Sequence, residues 1–189
     1  MAKLHEIEKK YRLLEDDAVS IEKKIVALGA RHVSDSKQTD TYFNVSGRDS
    51  YGTKECLRIR ETDKDIEITY KPPTKSSQAG VGYFSKKEVN LAVMDLDGAK
   101  ELLMDIGCDV LCVVEKTRKD YLLDKIHISV DTISDVGVFV EVESNGTDDE
   151  LSQVLEQIDG MAAKLGLNDS LIERRPYRDI VMEDSKQKR

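Results

Sequence analysis

Residues 126–143, Ile-His-Ile-Ser-Val-Asp-Thr-Ile-Ser-Asp-Val-Gly-Val-Phe-Val-Glu-Val-Glu, contain the pattern that decides the fold. Apolar and polar side chains alternate on both sides of a short turn, which is the period of a β-strand. In residues 138–143, for example, valines alternate with Phe139, Glu141 and Glu143. The stretch therefore predicts two consecutive strands with one apolar face and one charged face.

The same period of two recurs along the whole chain. In residues 57–60, Leu57 and Ile59 face one way while Arg58 and Arg60 face the other. Eight such runs cover residues 4–13, 31–44, 56–61, 66–71, 85–93, 111–123, 125–132 and 138–143. Eight strands are enough to close a barrel, and closure would remove the exposed edges of so long a sheet.

Three segments instead have apolar residues at helical spacing, and each ends at a glycine. They cover residues 17–29, 95–107 and 147–166. The order of one strand, one helix and three strands occurs twice, with Gly29 and Gly107 at matching places and a loop over 72–82 between the halves. We therefore predict an α+β fold, an eight-stranded closed antiparallel β-barrel with helices packed outside and two repeated halves.

The charged face of the predicted sheet has two interpretations, and spacing alone leaves both open. A sheet whose apolar side lies under helices can expose its polar side to water. Alternatively, barrel closure turns the charged face inward and makes it the lining of a binding site. The sorting of the charges favours the second interpretation, because some strands carry carboxylates and others carry arginine and lysine.

Carboxylates of the charged face are concentrated on three strands. Glu6 and Glu8 are one pleat repeat apart, Glu141 and Glu143 repeat this arrangement, and Asp131 belongs to the neighbouring strand. Like charges this close repel each other unless a cation lies between them. Oxygen donors suit a hard ion, so these five residues predict a site for Mg²⁺ or Mn²⁺.

Basic residues occupy the same face on other strands. Guanidinium and ammonium groups that face one space form a clamp for phosphate oxygens. The basic set is Lys10, Arg58, Arg60, Lys71, Lys86, Lys116 and Arg118. Together with a metal site, such a clamp predicts the binding of a polyphosphate.

Composition limits the class of protein. A chain of 189 residues with 39% hydrophobic residues suits one domain, which we place at residues 1–182, with a charged, disordered tail at 183–189. A net charge of -8 argues against a surface for nucleic acid or anionic membrane. The chain has no apolar run of transmembrane length, and its three cysteines form no disulfide framework, so we expect a cytoplasmic protein.

Residues 6–10, Glu-Ile-Glu-Lys-Lys, match the ExExK signature of the CYTH superfamily, also called the triphosphate tunnel metalloenzymes. The chain resembles this superfamily along nearly its whole length. Further matching segments are 40–43, 57–60, 68–71, 86–88, 115–118, 129–131, 140–143 and 176–180. The resemblance implies an eight-stranded antiparallel tunnel, in agreement with the alternation.

The resemblance also implies a role for each matched residue. The metal would be held by Glu6, Glu8, Asp131, Glu141 and Glu143, and the catalytic group would be Glu6, Glu8, Lys10, Glu141 and Glu143. The triphosphate would be bound by Lys10, Arg58, Arg60, Lys71, Lys86, Lys116 and Arg118, with Glu88 as an orienting carboxylate. Two departures from the pattern are Pro72-Pro73 after Lys71 and Pro176 before Tyr177, so Tyr177 and Arg178 receive no role.

Within the superfamily, the motifs are most similar to those of the class IV adenylyl cyclases, which convert ATP to cyclic AMP and pyrophosphate. One alternative is a triphosphatase that hydrolyses inorganic, thiamine or nucleoside triphosphate. The absence of tryptophan and the presence of only three phenylalanines favour it, because few rings are available to recognise a base. A non-catalytic polyphosphate or nucleotide sensor is the second alternative, and the apolar helix faces allow a homodimer.

Overall fold

The computed structural model describes residues 5–14, 17–73 and 84–187. These residues contain nine strands and five α-helices. The strands are β1 (His5–Leu13), β2 (Arg31–Val45), β3 (Cys56–Thr62), β4 (Ile66–Lys71), β5 (Phe84–Lys86), β6 (Val89–Val93), β7 (Cys108–Leu123), β8 (Ile126–Ile133) and β9 (Gly137–Gly146). The helices are α1 (Ala18–Ala27), α2 (Ser50–Thr53), α3 (Leu96–Asp105), α4 (Leu151–Leu165) and α5 (Tyr177–Gln187). The predicted α+β class is confirmed, and most of the predicted loop over 72–82 lies outside the described residues.

The helices α1 and α3 end in the same way, as the predicted repeat requires. Gly29 has φ +87° and donates its backbone N–H to the carbonyl of Val26 at 2.9 Å. Gly107 has φ +92° and donates its backbone N–H to the carbonyl of Met104 at 2.9 Å. Glycine adopts this left-handed conformation without the steric cost that a side chain brings, which explains its place at both helix ends.

The chain forms two compact units, and neither is a continuous stretch of sequence. The first contains the described residues of 1–36, 80–86 and 117–174, with strand order β5-β1-β9-β8-β7. The second contains those of 37–79, 87–116 and 175–189, with strand order β2-β3-β4-β6. The strand pairs β1–β5, β1–β9 and β8–β9 in the first unit, and β2–β3, β3–β4 and β4–β6 in the second, are antiparallel.

One predicted strand, 85–93, is interrupted at Lys87 and Glu88 and forms two short strands, β5 and β6. β5 is the end of the strand order in the first unit, and β6 is the end of the order in the second. Among the described residues, backbone hydrogen bonds therefore do not close the sheet in the way a closed barrel implies. The other seven predicted strands each form one strand.

The first unit has its core where the apolar face of the sheet meets α1 and α4. Val140 and Val142 of β9 are fully buried in this core together with Ile25 of α1 and Ile158 of α4. The side chains of one sheet face thus lie under the helices, as the alternation predicts.

The second unit has a smaller core between its strands and α3. Phe43 of β2 and Ile59 of β3 are each 1% exposed and pack with Ala99 and Leu103 of α3. The apolar parity of residues 57–60 is therefore the parity that faces a helix.

Most charged side chains on these faces of the two units are buried or half-buried. In the first unit Asp131 is 0%, Lys10 2% and Glu141 6% exposed, and in the second unit Asp40 is 0% and Lys116 4% exposed. A face exposed to water would leave these groups accessible, so the interpretation of a solvated face is wrong. Buried charges are costly unless they are paired or bind ions, so this face requires a specific chemical explanation.

The helix α5 is the element that sequence periodicity failed to predict. The sequence predicts disorder from Glu183, whereas the helix continues through Gln187. Tyr177 and Ile180 are buried, and Arg175 donates to the Glu183 carboxylate at 2.7 Å. The apolar positions of α5 are too few to give a clear helical period.

None of the helices in the described ranges is long and apolar enough to cross a membrane.

Candidate metal and phosphate sites

Three glutamates of the first unit bring their carboxylates together. Glu6 and Glu8 lie on the same face of β1, and Glu143 of β9 is directly opposite Glu8 in the antiparallel register. One oxygen atom from each of the three lies within 4.8 Å of the others, and all three side chains are half-buried. The pleat spacing and the register of two strands are sufficient to form this group.

The donor set of this cluster fits a hard divalent cation. It consists of carboxylate oxygens only, the ligands that Mg²⁺ and Mn²⁺ prefer. Three negative charges at this spacing repel one another, and a divalent ion is the simplest partner that offsets the repulsion. Glu6, Glu8 and Glu143 are therefore the residues of this chain that could hold such a metal.

Asp131 and Glu141 of the first unit are in a different environment. Arg118 donates to Asp131 from Nε at 2.7 Å and from NH2 at 2.5 Å, and its NH2 also donates to Glu141 at 2.5 Å. In the described part of the chain, neither carboxylate belongs to the group formed by Glu6, Glu8 and Glu143. The predicted set of five metal ligands is thus divided into a cluster of three and a pair that shares an arginine.

The two other predicted basic residues of the first unit lie beside these carboxylates along the strands. Lys10 of β1 is opposite Glu141 of β9, and Lys86 of β5 is opposite Glu6 of β1. Lys10 is buried, and the side chain of Lys86 lies outside the description. The register therefore places basic and acidic residues on directly paired positions of adjacent strands.

In the second unit, two predicted phosphate ligands surround a carboxylate that the sequence analysis gave no role. Asp40 of β2 is opposite Arg60 of β3 and accepts bonds from Arg60 Nε at 2.6 Å and NH2 at 2.7 Å. The NH1 atom of Arg58 lies 3.5 Å from the same carboxylate. Asp40 thus holds the two guanidinium groups next to each other, with a net charge of about +1 for the three side chains.

The electrostatic environment keeps Asp40 ionised. Burial by itself would raise the pKa of this carboxyl group, but the charges of Arg58 and Arg60 and the hydrogen bonds from Arg60 lower the pKa well below its usual range. An aspartate with a depressed pKa in the folded state stabilises the fold above its unfolded pKa. That contribution is lost as the pH falls through the folded-state value.

We expect the free energy of unfolding of the Asp40→Asn variant to be about 3 kcal/mol lower than that of the wild type at neutral pH, because two half-buried arginines lose the carboxylate between them. Below about pH 4 the difference should shrink by about 1 kcal/mol per pH unit, because Asp40 of the unfolded wild-type chain takes up a proton while folded Asp40 stays ionised. Urea unfolding of both proteins from neutral to acid pH measures this.

The exposed Asp35→Asn variant is the control, and its stability should stay within about 0.5 kcal/mol of the wild type. If the difference between Asp40→Asn and the wild type did not change below about pH 4, the charge of Asp40 would not be the source of its stabilisation.

The remaining predicted residues of the second unit are Lys71, Glu88 and Lys116. Lys71 at the end of β4 forms an ion pair with Glu88 at 3.0 Å, consistent with an orienting carboxylate. Lys116 of β7 is buried, and its ammonium group lies 4.8 Å from the centre of the Tyr177 ring.

The sequence does contain a signal for Asp40. Arg118 stands as far beyond Gly107 as Asp40 does beyond Gly29, so the two residues are equivalent in the repeat. Each is bonded to a residue of opposite charge on the next strand along the chain. The equivalent positions thus carry opposite charges, an arginine between carboxylates in one half and a carboxylate between arginines in the other.

Comparison with known proteins gives a match over residues 4–177 to the family model described as CYTH domain. A relative named putative adenylate cyclase MJ0240, from Methanocaldococcus jannaschii, is 27% identical over 176 residues, which is 93% of this chain and 97% of the relative. A second, named adenylate cyclase CyaB, from Aeromonas hydrophila, is 27% identical over 181 residues, which is 93% of this chain and 87% of that protein.

Among solved structures, the PH1012 protein of Pyrococcus horikoshii OT3 has a TM-score of 0.77 and 28% sequence identity. The match covers 93% of this chain and 98% of that protein. Because the likeness extends over nearly all of both proteins, the chain has the fold of that structure. The fold class predicted from the alternation is confirmed.

Proposed function

Because this chain belongs to the CYTH domain family, we propose that it is an enzyme that uses a divalent metal to act on a triphosphate. The reaction is that of an adenylyl cyclase, in which the 3′-hydroxyl of ATP attacks the α-phosphorus and pyrophosphate leaves. The names of two relatives that match over most of their length support this choice. The activity belongs to one domain, residues 1–182, in the cytoplasm.

The observation that carries the proposal is the cluster of Glu6, Glu8 and Glu143. Carboxylates with oxygen atoms within 4.8 Å of one another repel each other, and a divalent cation would offset that repulsion. A bound Mg²⁺ or Mn²⁺ would stabilise the charge that develops on phosphate oxygens during the reaction. The predicted ligand set for the triphosphate remains the basic residues, with the Arg58 and Arg60 pair as its best-organised part.

A triphosphatase is the second candidate, since the two phenylalanines whose side chains the structure describes favour a ligand recognised by its phosphates. Phe43 is 1% and Phe139 is 0% exposed, and each is fixed by packing within its unit. The chain contains no tryptophan. Neither of these two phenylalanines offers an open face on which adenine could stack. In this reaction water would attack the terminal phosphorus and release orthophosphate.

A product assay distinguishes the candidates. We expect the purified protein to form cyclic AMP and pyrophosphate from ATP in the presence of Mg²⁺ or Mn²⁺, and to be inactive in EDTA. Orthophosphate from ATP, inorganic triphosphate or thiamine triphosphate would instead establish the triphosphatase. Binding of all three compounds without turnover would contradict both candidates and indicate a sensor.

A further inference from the structure

Lys116 of the second unit is held against an aromatic ring. Its ammonium group lies 4.8 Å from the centre of the Tyr177 ring at the start of α5, and both side chains are at most 5% exposed. A cation within about 6 Å of a ring centre is attracted by the ring, and the attraction is stronger when water is excluded. A lysine stem is flexible, so the ring restricts where the charge can lie.

The residues that follow Tyr177 fix the start of α5 in place. Arg178 is 1% exposed, donates from NH2 to the backbone carbonyl of Ser50 at 2.6 Å, and donates from NH1 to the backbone carbonyl of Glu55. Asp179 is fully buried and accepts from Lys54 at 2.7 Å. The first turn of α5 is thereby bonded to the connection between β2 and β3, which leads into the strand of Arg58 and Arg60.

The charge of Lys116 also acts on Asp40 within the same unit, where it helps to lower the pKa of that carboxyl group. An ammonium group on a flexible stem is attracted toward a nearby carboxylate such as Asp40. The closer it came, the more its charge would neutralise that carboxylate. The ring of Tyr177 supplies a competing attraction in a different direction. It therefore limits how far the Lys116 ammonium group can move toward Asp40.

We infer that Tyr177 is a positioning residue for phosphate binding, which acts by holding the ammonium group of Lys116, and that Arg178 and Asp179 fix the ring. The inference rests on the proposed function, because it takes Lys116 to be a phosphate ligand. It gives a role to residues 176–180, a segment that matches the family pattern but does not belong to the charged faces of the strands.

The test measures the dissociation constant of inorganic triphosphate by calorimetry in the full-length protein. We expect Tyr177→Leu to weaken binding roughly fivefold, and Tyr177→Phe, which keeps the ring, to bind as the wild type does. Lys116→Met should weaken binding by at least about tenfold through loss of a charge-assisted hydrogen bond. In the Lys116→Met background, Tyr177→Leu should have no further effect.

The Tyr121→Leu variant is the matched control. Tyr121 belongs to the first unit, is 4% exposed, and its ring contacts the ring of His32 in that same unit. It should lower the melting temperature without changing the dissociation constant. If Tyr177→Leu weakened binding equally with and without Lys116, or left binding unchanged while Lys116→Met weakened it, the inference would be wrong. Unchanged binding in Lys116→Met would instead remove Lys116 from the proposed ligand set.

Discussion

In the Glu143→Gln variant, metal-dependent turnover is expected to fall by at least about a hundredfold. Changing a residue that only supports a metal ligand already lowers metal affinity or activity by about 10- to 100-fold. Glutamine has nearly the same shape as glutamate but no charge, so the cluster with Glu6 and Glu8 keeps its packing and loses one of its three anionic donors. Turnover of ATP and calorimetric binding of Mn²⁺ measure the effect.

The fold of the variant should be intact, because neutralising one of three neighbouring carboxylates relieves repulsion. Its melting temperature in EDTA should therefore be no lower than that of the wild type. Glu61→Gln, an exposed glutamate on β3, is the control and should leave turnover unchanged. Normal Mn²⁺ binding by Glu143→Gln would show that the cluster holds no metal.

Glu141→Gln provides a second comparison. The family resemblance implies that Glu141 is a metal ligand, whereas its observed partner is Arg118. If Glu141 and Glu143 were equivalent ligands, both variants would lose Mn²⁺ binding to the same extent. From the observed contacts we expect the Glu143→Gln variant to lose more.

The Arg118→Met variant is expected to lose about 3 to 5 kcal/mol of stability, because the buried Asp131 and Glu141 would lose the guanidinium group that bonds to both of them. Methionine keeps most of the side-chain volume, so the loss reports the charge and its hydrogen bonds. Urea unfolding at neutral pH measures the free energy of unfolding.

The next residue on β7 is the matched control. Lys119 pairs with Glu22 at 2.8 Å, but its side chain is 45% exposed, so Lys119→Met should cost less than about 1 kcal/mol. Adding Asp131→Asn and Glu141→Gln to Arg118→Met should recover part of the loss, because no uncompensated charge then remains. Equal losses of stability in Arg118→Met and Lys119→Met would show that burial does not increase the contribution of the Arg118 ion pairs to stability.

The strands could be predicted well because one simple physical rule governs them. In residues 138–143, every valine side chain belongs to the core that includes α1 and α4, whereas Glu141 on the other parity is buried outside that core. Alternation therefore records which face of the sheet meets the helices. The interruption at Lys87 and Glu88 could not be predicted, since hydrogen-bond partners on two different strands determine where β5 and β6 begin. The helix α5 lacks the periodic apolar face that predicts a helix from sequence. It is held instead by hydrogen bonds from Arg178 to backbone carbonyls of other segments.

The placement of the charged residues on one face of the strands could be predicted from the sequence, but the pairing of these residues could not. Parity places Glu8 and Asp131 on the charged face, yet only the register of β1 and β9 brings Glu143 beside Glu8. Parity also gives no sign that Arg118 joins Asp131 and Glu141. Long side chains choose among several neighbours of opposite charge, and that choice depends on distances in three dimensions.

The carboxylate of Asp40 between Arg58 and Arg60 has a consequence for the rate at which product leaves. Two bare arginines would hold a phosphate product tightly, and slow release often limits turnover in enzymes. With Asp40 hydrogen-bonded to Arg60 and ion-paired with Arg58, the attraction is closer to that of one positive charge. Under the proposed function, binding of substrate and product would be weakened alike, which would shorten the lifetime of the product complex without changing which groups reach the phosphate. Asp40 would then limit how long a phosphate stays bound.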